Sequence, residues 1–428
     1  MKRGLFAWLL ALLFLLPARA VTAQTADELS REEKWREDLQ TLARELPQRH
    51  KNLFAHLTRQ QFEQEIAQLS EDIPKLSDAE IRLGLWRLAA KIGDAHTQVQ
   101  YHREQVFPIG FYQFSDGIFV AAALAEHKRL LGAQLIKIGD TSIERAKAAV
   151  RQVIPVENES WFNAQFPGYF TDPQLLVLLK ILPDAQTGRF TFKGRDGKEF
   201  TLELQPVSAK EPLKLLRPFD ATPNNIPLLY RNPQAFYWYE HLPEAQTLYL
   251  QYNRCQQMPD RPFQDFADEV WKLMDEKQVE RLVIDLRRNG GGNSSVFDPF
   301  INTLGKHPRL NRRGGIFVLI GRSTFSSAYL NALRLKRATQ AILVGEPTGQ
   351  RPNAFGEVKN FTLPHSKIVV NYSTKYFQTM PGDPSSLVPD QLIERSSQDF
   401  LAGRDPVLEW VLHHKVRQRP ARRKNFIH

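Results

Sequence analysis

Apolar residues recur every three to four positions through the early part of the chain. Trp35, Leu39, Leu42 and Leu46 share one helical face, as do Phe62, Ile66 and Leu69. The stretch from about Ala26 to Lys91 is therefore predicted to be helical. Asp78 with Glu80 offers a helix start, Ile81, Leu85, Leu88 and Ala89 a buried face, and Gly93 a stop. The loop Asp94-Ala95-His96-Thr97 follows, then a strand-like Val99 to Tyr101.

From Phe107 to about Val207 the period shortens towards two. Strands are predicted over Gly110–Phe114, Ile118–Ala121 and Gln134–Ile138, and again over Phe190–Phe192 and Phe200–Leu204 around an Asp196-Gly197 turn. Ile143 to Val153 reads as a helix. Pro212 to Pro233 is proline-rich and polar, the pattern of a linker or long loop. Beyond Phe236, buried strands alternate with helices: Thr247–Tyr252, Phe263–Met274, Arg281–Leu286, Ile316–Ile320, Ser326–Leu335 and Ala341–Val344. Alternation on this scale predicts an α/β layer architecture with strands parallel in part.

Composition narrows the class. The 428 residues are 42% hydrophobic and 24% charged, which fits a folded globular chain. The formal charge of +10 suggests nucleic acid until it is located. Residues 1–23 carry Lys2, Arg3 and Arg19, residues 413–428 carry six further basic side chains, and neither segment has an acid. The body between them is close to neutral, so no electrostatic case for nucleic acid remains. Lys2 and Arg3, the apolar run Leu5–Leu16 and the small residues Ala18, Ala20, Val21 and Ala23 form the pattern of a cleavable signal peptide over 1–23. That pattern predicts an exported protein, periplasmic or secreted, with no stable membrane insertion after cleavage. Cys255 is the one cysteine and cannot form an internal disulfide. No His, Asp and Glu residues stand at metal-ligand spacing along the chain, and no dinucleotide fingerprint occurs, so no cofactor is expected.

Two loops at strand ends carry chemistry. Asp285-Leu286-Arg287-Arg288-Asn289-Gly290-Gly291-Gly292 follows a buried strand. Consecutive glycines let backbone N–H groups converge, which suits an oxyanion or phosphate cradle as well as a plain flexible turn. Gly321-Arg322-Ser323-Thr324-Phe325-Ser326-Ser327-Ala328 leads from a strand into a helix. A serine there is either a helix cap or a nucleophile near the positive end of the helix dipole. Gly321-x-Ser323 begins like a hydrolase elbow, but Phe325 stands where its second glycine belongs.

Taken in order, Asp285–Gly292, Thr324-Phe325-Ser326-Ser327-Ala328 and Val344-Gly345-Glu346-Pro347-Thr348-Gly349 resemble the C-terminal-processing (tail-specific) serine peptidase family, which includes tricorn-type peptidases. Asp94-Ala95-His96-Thr97 is similar to the histidine loop of the tricorn branch. Phe107–Val153, with Asp116-Gly117-Ile118-Phe119-Val120 and Leu131-Gly132-Ala133, resembles that family's PDZ-like module. The resemblance spans roughly Glu33 to Trp410. It implies an α/β fold: a crotonase/Clp-protease-like core over 211–412, a helical region over 24–105 and a small PDZ-like β-rich module over 106–210. A signal peptide (1–23) and a basic disordered tail (413–428) flank them.

The resemblance also implies roles. Ser326 matches the nucleophile and His96 the general base. The backbone N–H groups of Ser327 and of Gly291 or Gly290 match the oxyanion hole. The other branch of the family uses a lysine about 25 positions after the serine, where this chain has Arg351. A guanidinium does not lose its proton, so that dyad is excluded. For the third member the resemblance points to Asp383, seven positions before the Asp390 of Pro389-Asp390, with Glu346 and Glu357 as rivals. Tricorn-type sites place a serine directly before the histidine; this chain has Ala95. The expected activity is a serine peptidase acting on protein or peptide substrates. A non-catalytic peptide-binding relative and an esterase using Ser323 are the alternatives.

Overall fold

The computed structural model describes residues 29–220 and 226–414. The predicted signal peptide, and the predicted tail beyond His414, lie outside the described residues.

Three helices open the described chain: Arg31–Arg49, Arg59–Asp72 and Asp78–Ile92. Each starts with a capping box, Ser30 with Glu33, Thr58 with Gln61 and Ser77 with Glu80. The start predicted at Asp78 is therefore corrected by one residue. Ser77 is the cap, while Asp78 accepts from Arg31 Nε at 2.7 Å and Trp35 Nε1 at 2.9 Å. Gly93 ends the third helix in left-handed backbone, φ 75°, a region glycine enters without penalty. The apolar faces of these helices pack on Leu363, Ile368, Val370 and Tyr372. Those residues belong to a long hairpin, Asn353–Thr362 with Val369–Gln378. The sequence pattern gave no sign of that hairpin, and it carries the helical region onto the core.

The middle region is an antiparallel sheet whose five main strands follow chain order: Ile109–Phe114, Gly117–Ala123, Gln134–Ile138, Gly188–Lys193 and Glu199–Leu204. Three helices, Ile143–Arg151, Glu159–Tyr169 and Pro173–Leu178, are inserted before the fourth. Neither the second nor the third was predicted; the second is the longest of the three. In that second helix the packing is aromatic. Its Phe162 and Phe166 are buried, and Asn158 caps it by accepting from Trp161 N at 2.7 Å.

The third region is a six-stranded sheet in the order Tyr237–Leu242, Thr247–Tyr252, Arg281–Asp285, Ile316–Ile320, Ile342–Gly345 and Gln391–Leu392. The first pair is antiparallel and the other four pairings are parallel. Every residue of Thr247–Tyr252, Arg281–Asp285 and Ile316–Ile320 is buried, as expected of parallel strands covered on both faces. The helices Phe263–Glu276, Asp298–Lys306 and Ser327–Ala338 cover one face. The helix Pro406–His413 packs on the other.

Of the two readings for 212–233, the described part is a long loop, packed against the fold. Leu216 pairs with Ala123, and Phe219, Leu228 and Leu229 are buried. The predicted tail starts too early. His413 closes a helix, and Arg281 donates to the carbonyls of Leu412 and His414 at 3.0 and 2.6 Å. Among the described residues, no helix is long and apolar enough to cross a membrane.

One ion network fixes the end of the central strand. Arg287 donates to Asp285 at 2.6 Å and to Asp405 at 2.7 Å, and Tyr249 Oη donates to Asp285 at 2.7 Å. The Arg287 side chain is only 10% exposed and that of Asp285 not at all. Arg287→Ala strands both carboxylates, so unfolding free energy should fall by about 3–5 kcal/mol, read as a lower urea midpoint. An unchanged midpoint would mean that the network adds nothing to the fold.

Candidate active site

The strand Ile316–Ile320 feeds the loop that carries Ser326, and a helix begins at Ser327. Ser326 occupies the cap position, yet its hydroxyl makes no capping bond. Its backbone sits at φ 50°, ψ −125°. A residue with a Cβ reaches that region only at a cost of about 1–3 kcal/mol, so the surroundings must impose it. Thr324, fully buried, donates its hydroxyl to Leu286 O at 2.9 Å and accepts from Gly321 N at 3.0 Å. Phe325 N donates to Asn289 O at 3.1 Å, and Ser326 N to Gln350 Oε1 at 3.1 Å. The serine is thus clamped from both sides in a sharp strand-to-helix turn.

The glycine loop forms one jaw of this clamp. Asn289 is buried; its Nδ2 donates to Tyr252 O at 2.8 Å and its Oδ1 accepts from Gly291 N at 2.9 Å. Cys255 N donates to Gly291 O at 3.0 Å, and the Cys255 thiol, pushed up to about 12 by burial, faces Asn289 and Asn331. The cysteine is therefore a structural latch. A Cβ on Gly291 would lie 2.7 Å from Ser326 Cβ and 3.0 Å from Ser327 N, at φ 113°. This corrects the oxyanion assignment in part, because the Gly291 amide is already spent on Asn289. Of the three glycines, Gly292 and not Gly290 or Gly291 lines the cavity beside Ser326. Ser327 Oγ donates to Gly292 O at 2.6 Å and holds the two segments together.

His96 lines the same cavity of about 420 Å³, with Ser326, Ser327, Gly292 and Gln350. Its ring lies against Phe325, centroids 4.8 Å apart, and Phe325 stacks on Trp161 at 4.1 Å. The His96 side chain is 10% exposed, and neither ring nitrogen has a hydrogen-bond partner among the described residues. Two carboxylates stand behind it. Asp94 Oδ1 is 3.7 Å and Glu157 Oε1 3.9 Å from Nδ1, both beyond hydrogen-bond length.

The two acids differ in how they are satisfied. Asp94 accepts from His50 Nε2 at 3.0 Å, Thr97 Oγ1 and Ser373 Oγ at 2.6 Å each, and His96 N at 2.9 Å. Burial alone would raise it, but His50, His96 and Ser373 outweigh burial and hold it well below the usual carboxylate range. Glu157 accepts from the amides of Ala95 at 3.2 Å and Arg351 at 3.3 Å, and from Gln350 Nε2 at 3.1 Å. Burial pushes it up to about 7, against the pull of His96 and with a push from Asp94. Neither Glu157 nor Gln350 was found from the sequence.

Asp383, the acid expected beside His96, is elsewhere. It pairs with Arg351 Nη2 at 2.6 Å, its side chain is 69% exposed, and it lines a second cavity of about 440 Å³ together with Asp94 and Glu157. The arginine at the lysine position holds it there. Its rivals are also engaged, Glu346 with Arg322 at 2.5 Å and Glu357 with Lys375 at 3.6 Å. Ser323 lines a separate cavity with Arg287 and Arg288 and is not gathered with His96.

Folding does assemble one group that chain spacing hid. Asp94, His96 and Glu157 each bring a possible ligand atom within 4.8 Å of the others. The facing oxygens already accept the His96 and Ala95 amides, so protein hydrogen bonds use much of that donor set.

Ser326, in strained backbone at a strand-to-helix turn, thus shares a cavity with His96 and Gly292 on this α/β fold. No protein-family model matches the sequence, and no curated protein matches it. Among solved structures, mature CPAF matches at 12% identity with a TM-score of 0.63, over 89% of this chain and 96% of that one. Mature CPAF complexed with lactacystin gives 12% and 0.58, over 89% and 97%. A serine-to-alanine CPAF mutant gives 13% and 0.60, over 90% and 99%. The chain has the fold of CPAF, with which the resemblance read from the motifs agrees.

Gly291→Ala should displace Ser326 without unfolding the chain. A shift on the order of 1 Å at the nucleophile costs about 10²-fold. The rate of Ser326 labelling by a fluorophosphonate, with circular dichroism as the folding control, measures it. Labelling at the wild-type rate would mean that the loop yields instead.

Proposed function

We propose that the chain is a serine peptidase that cleaves protein or peptide substrates. The observation that carries this reading is Ser326, held in strained backbone at the mouth of a helix and sharing a cavity with an unpartnered His96. In the mechanism, His96 takes the Ser326 proton and the serine oxygen attacks the peptide carbonyl. The Ser327 amide, among the first of its helix and so without an intrahelical acceptor, stabilises the oxyanion with the Gly292 amide beside it. Proton return from His96 releases the amine, and water resolves the acyl-enzyme.

The same reading covers the finer architecture. The five-stranded middle sheet serves as the PDZ-like module, and the parallel sheet with its helices as a crotonase-like core. The signal-peptide pattern over 1–23 supports an exported enzyme, periplasmic or secreted.

His96→Ala and Ser326→Ala should each lower turnover of an unstructured protein by about 10² or more, and the double variant should be scarcely worse. Additive losses would break the dyad. A fluorophosphonate should label Ser326. Label on Ser323 would favour an esterase, and no label a non-catalytic relative. Chelators should leave turnover unchanged, since no step uses a metal; a loss restored by zinc would give the Asp94–His96–Glu157 group to an ion.

A further inference from the structure

We propose that Glu157, reached from a distant part of the chain, is the positioning acid of the site and ties His96 to Ser326. This rests on the peptidase reading and adds the member that the sequence placed at Asp383.

The argument begins with what Glu157 holds. Its Oε1 takes the Ala95 amide, which fixes the loop residue directly before His96, and stands 3.9 Å from His96 Nδ1. Its Oε2 takes Gln350 Nε2 and the Arg351 amide. Gln350 turns its Nε2 to Glu157, which leaves its Oε1 facing the other way. That Oε1 accepts the Ser326 amide at 3.1 Å. One side chain therefore sets the histidine loop and, through one amide, the backbone of the strained serine.

The position of Glu157 is itself secured. Asn158, next in the chain, donates its Nδ2 to Ser385 O at 2.7 Å, Ser386 Oγ at 3.0 Å and Thr348 O at 3.1 Å while capping its own helix. The middle region is thereby pinned to the core at the site. The groups facing Glu157 are His96 and Asp94 from the histidine loop and Arg351 from the following turn. Lys51, His56 and Asp383 stand around the second cavity. Asp94 is a poor rival for the task, because His50, Thr97, Ser373 and the His96 amide occupy its oxygens.

The test compares wild type with Glu157→Gln, Glu157→Asp and Asp383→Asn. Fluorophosphonate labelling of Ser326 is followed against pH, with circular dichroism for folding. A glutamine at 157 meets donors at Gln350 and Arg351 with an amide that must donate from one end. Labelling should slow by about 10-fold or more, a misplacement effect of the kind expected near a nucleophile. Below about pH 7 the rate should also lose the part of its pH dependence that belongs to Glu157, whose carboxyl burial pushes up to about 7. Glu157→Asp should recover most of the rate, and Asp383→Asn should stay within about twofold of wild type. If Glu157→Gln labels at the wild-type rate, or Asp383→Asn carries the loss, the proposal is overturned while the peptidase reading stands. Should Glu157→Gln fail to fold, Glu157→Asp decides: a rate close to wild type supports the proposal, and a loss of about 10-fold overturns it. Absence of label in wild type defeats the peptidase reading itself.

Discussion

The site depends on holding Ser326 at φ 50°. Left alone, a serine at a helix start would relax into extended backbone and cap the helix with its hydroxyl. Here the hydroxyl is withheld from that task because the backbone is held on both sides. Asn289 O takes the Phe325 amide, Gln350 takes the Ser326 amide, and Gly291 lies so close that a Cβ on it would meet Ser326 Cβ at 2.7 Å. The strain is modest beside the stability of a domain. It is distributed into contacts that bind the ends of three neighbouring strands together.

Those contacts explain why buried polar groups crowd this region. Asn289, Thr324, Asp94 and Gln350 are all buried, and each has its hydrogen-bonding atoms met by backbone or side chains. A buried polar network adds rigidity only when its members are satisfied. His96 differs from these four: in a largely buried side chain, neither ring nitrogen has a hydrogen-bond partner among the described residues. A group that the fold leaves unsatisfied amid so much satisfaction is kept for a proton that arrives from elsewhere.

What the sequence disclosed follows from how local each signal is. Ile316–Ile320 is read to the residue because an uninterrupted apolar run between turn signals has one meaning in an α/β chain. Gly93 is read because only its left-handed backbone closes the helix there. The hairpin Asn353–Gln378 escapes because polar Glu357, Lys359, Lys375 and Thr374 interrupt its alternation, and its exposed half is stabilised by pairing. Ser326 and His96, which share a cavity, stand out through ordered motifs, but Glu157 does not. Asp383 satisfies a spacing, whereas the carboxylate beside His96 is set by packing. Nothing in Pro155-Val156-Glu157-Asn158 announces that Glu157 will be buried against a loop from another region. The Asn158 cap before an aromatic helix was the one local signal available, and it predicts the helix and not the burial.

The assembly of the site has a physical consequence for the whole molecule. His96 comes from the end of the helical region, Glu157 from the middle region and Ser326 from the parallel sheet. The hairpin that buries the helices also supplies Ser373 to Asp94. Removing any one region would leave a buried charge or an unpaired donor in the others, at a cost of several kcal/mol for a carboxylate. The polar bonds that dock the three regions are those that hold the His96 loop and the Ser326 backbone, so the cavity that His96 and Ser326 share is completed by tertiary folding and is absent from any one of the regions.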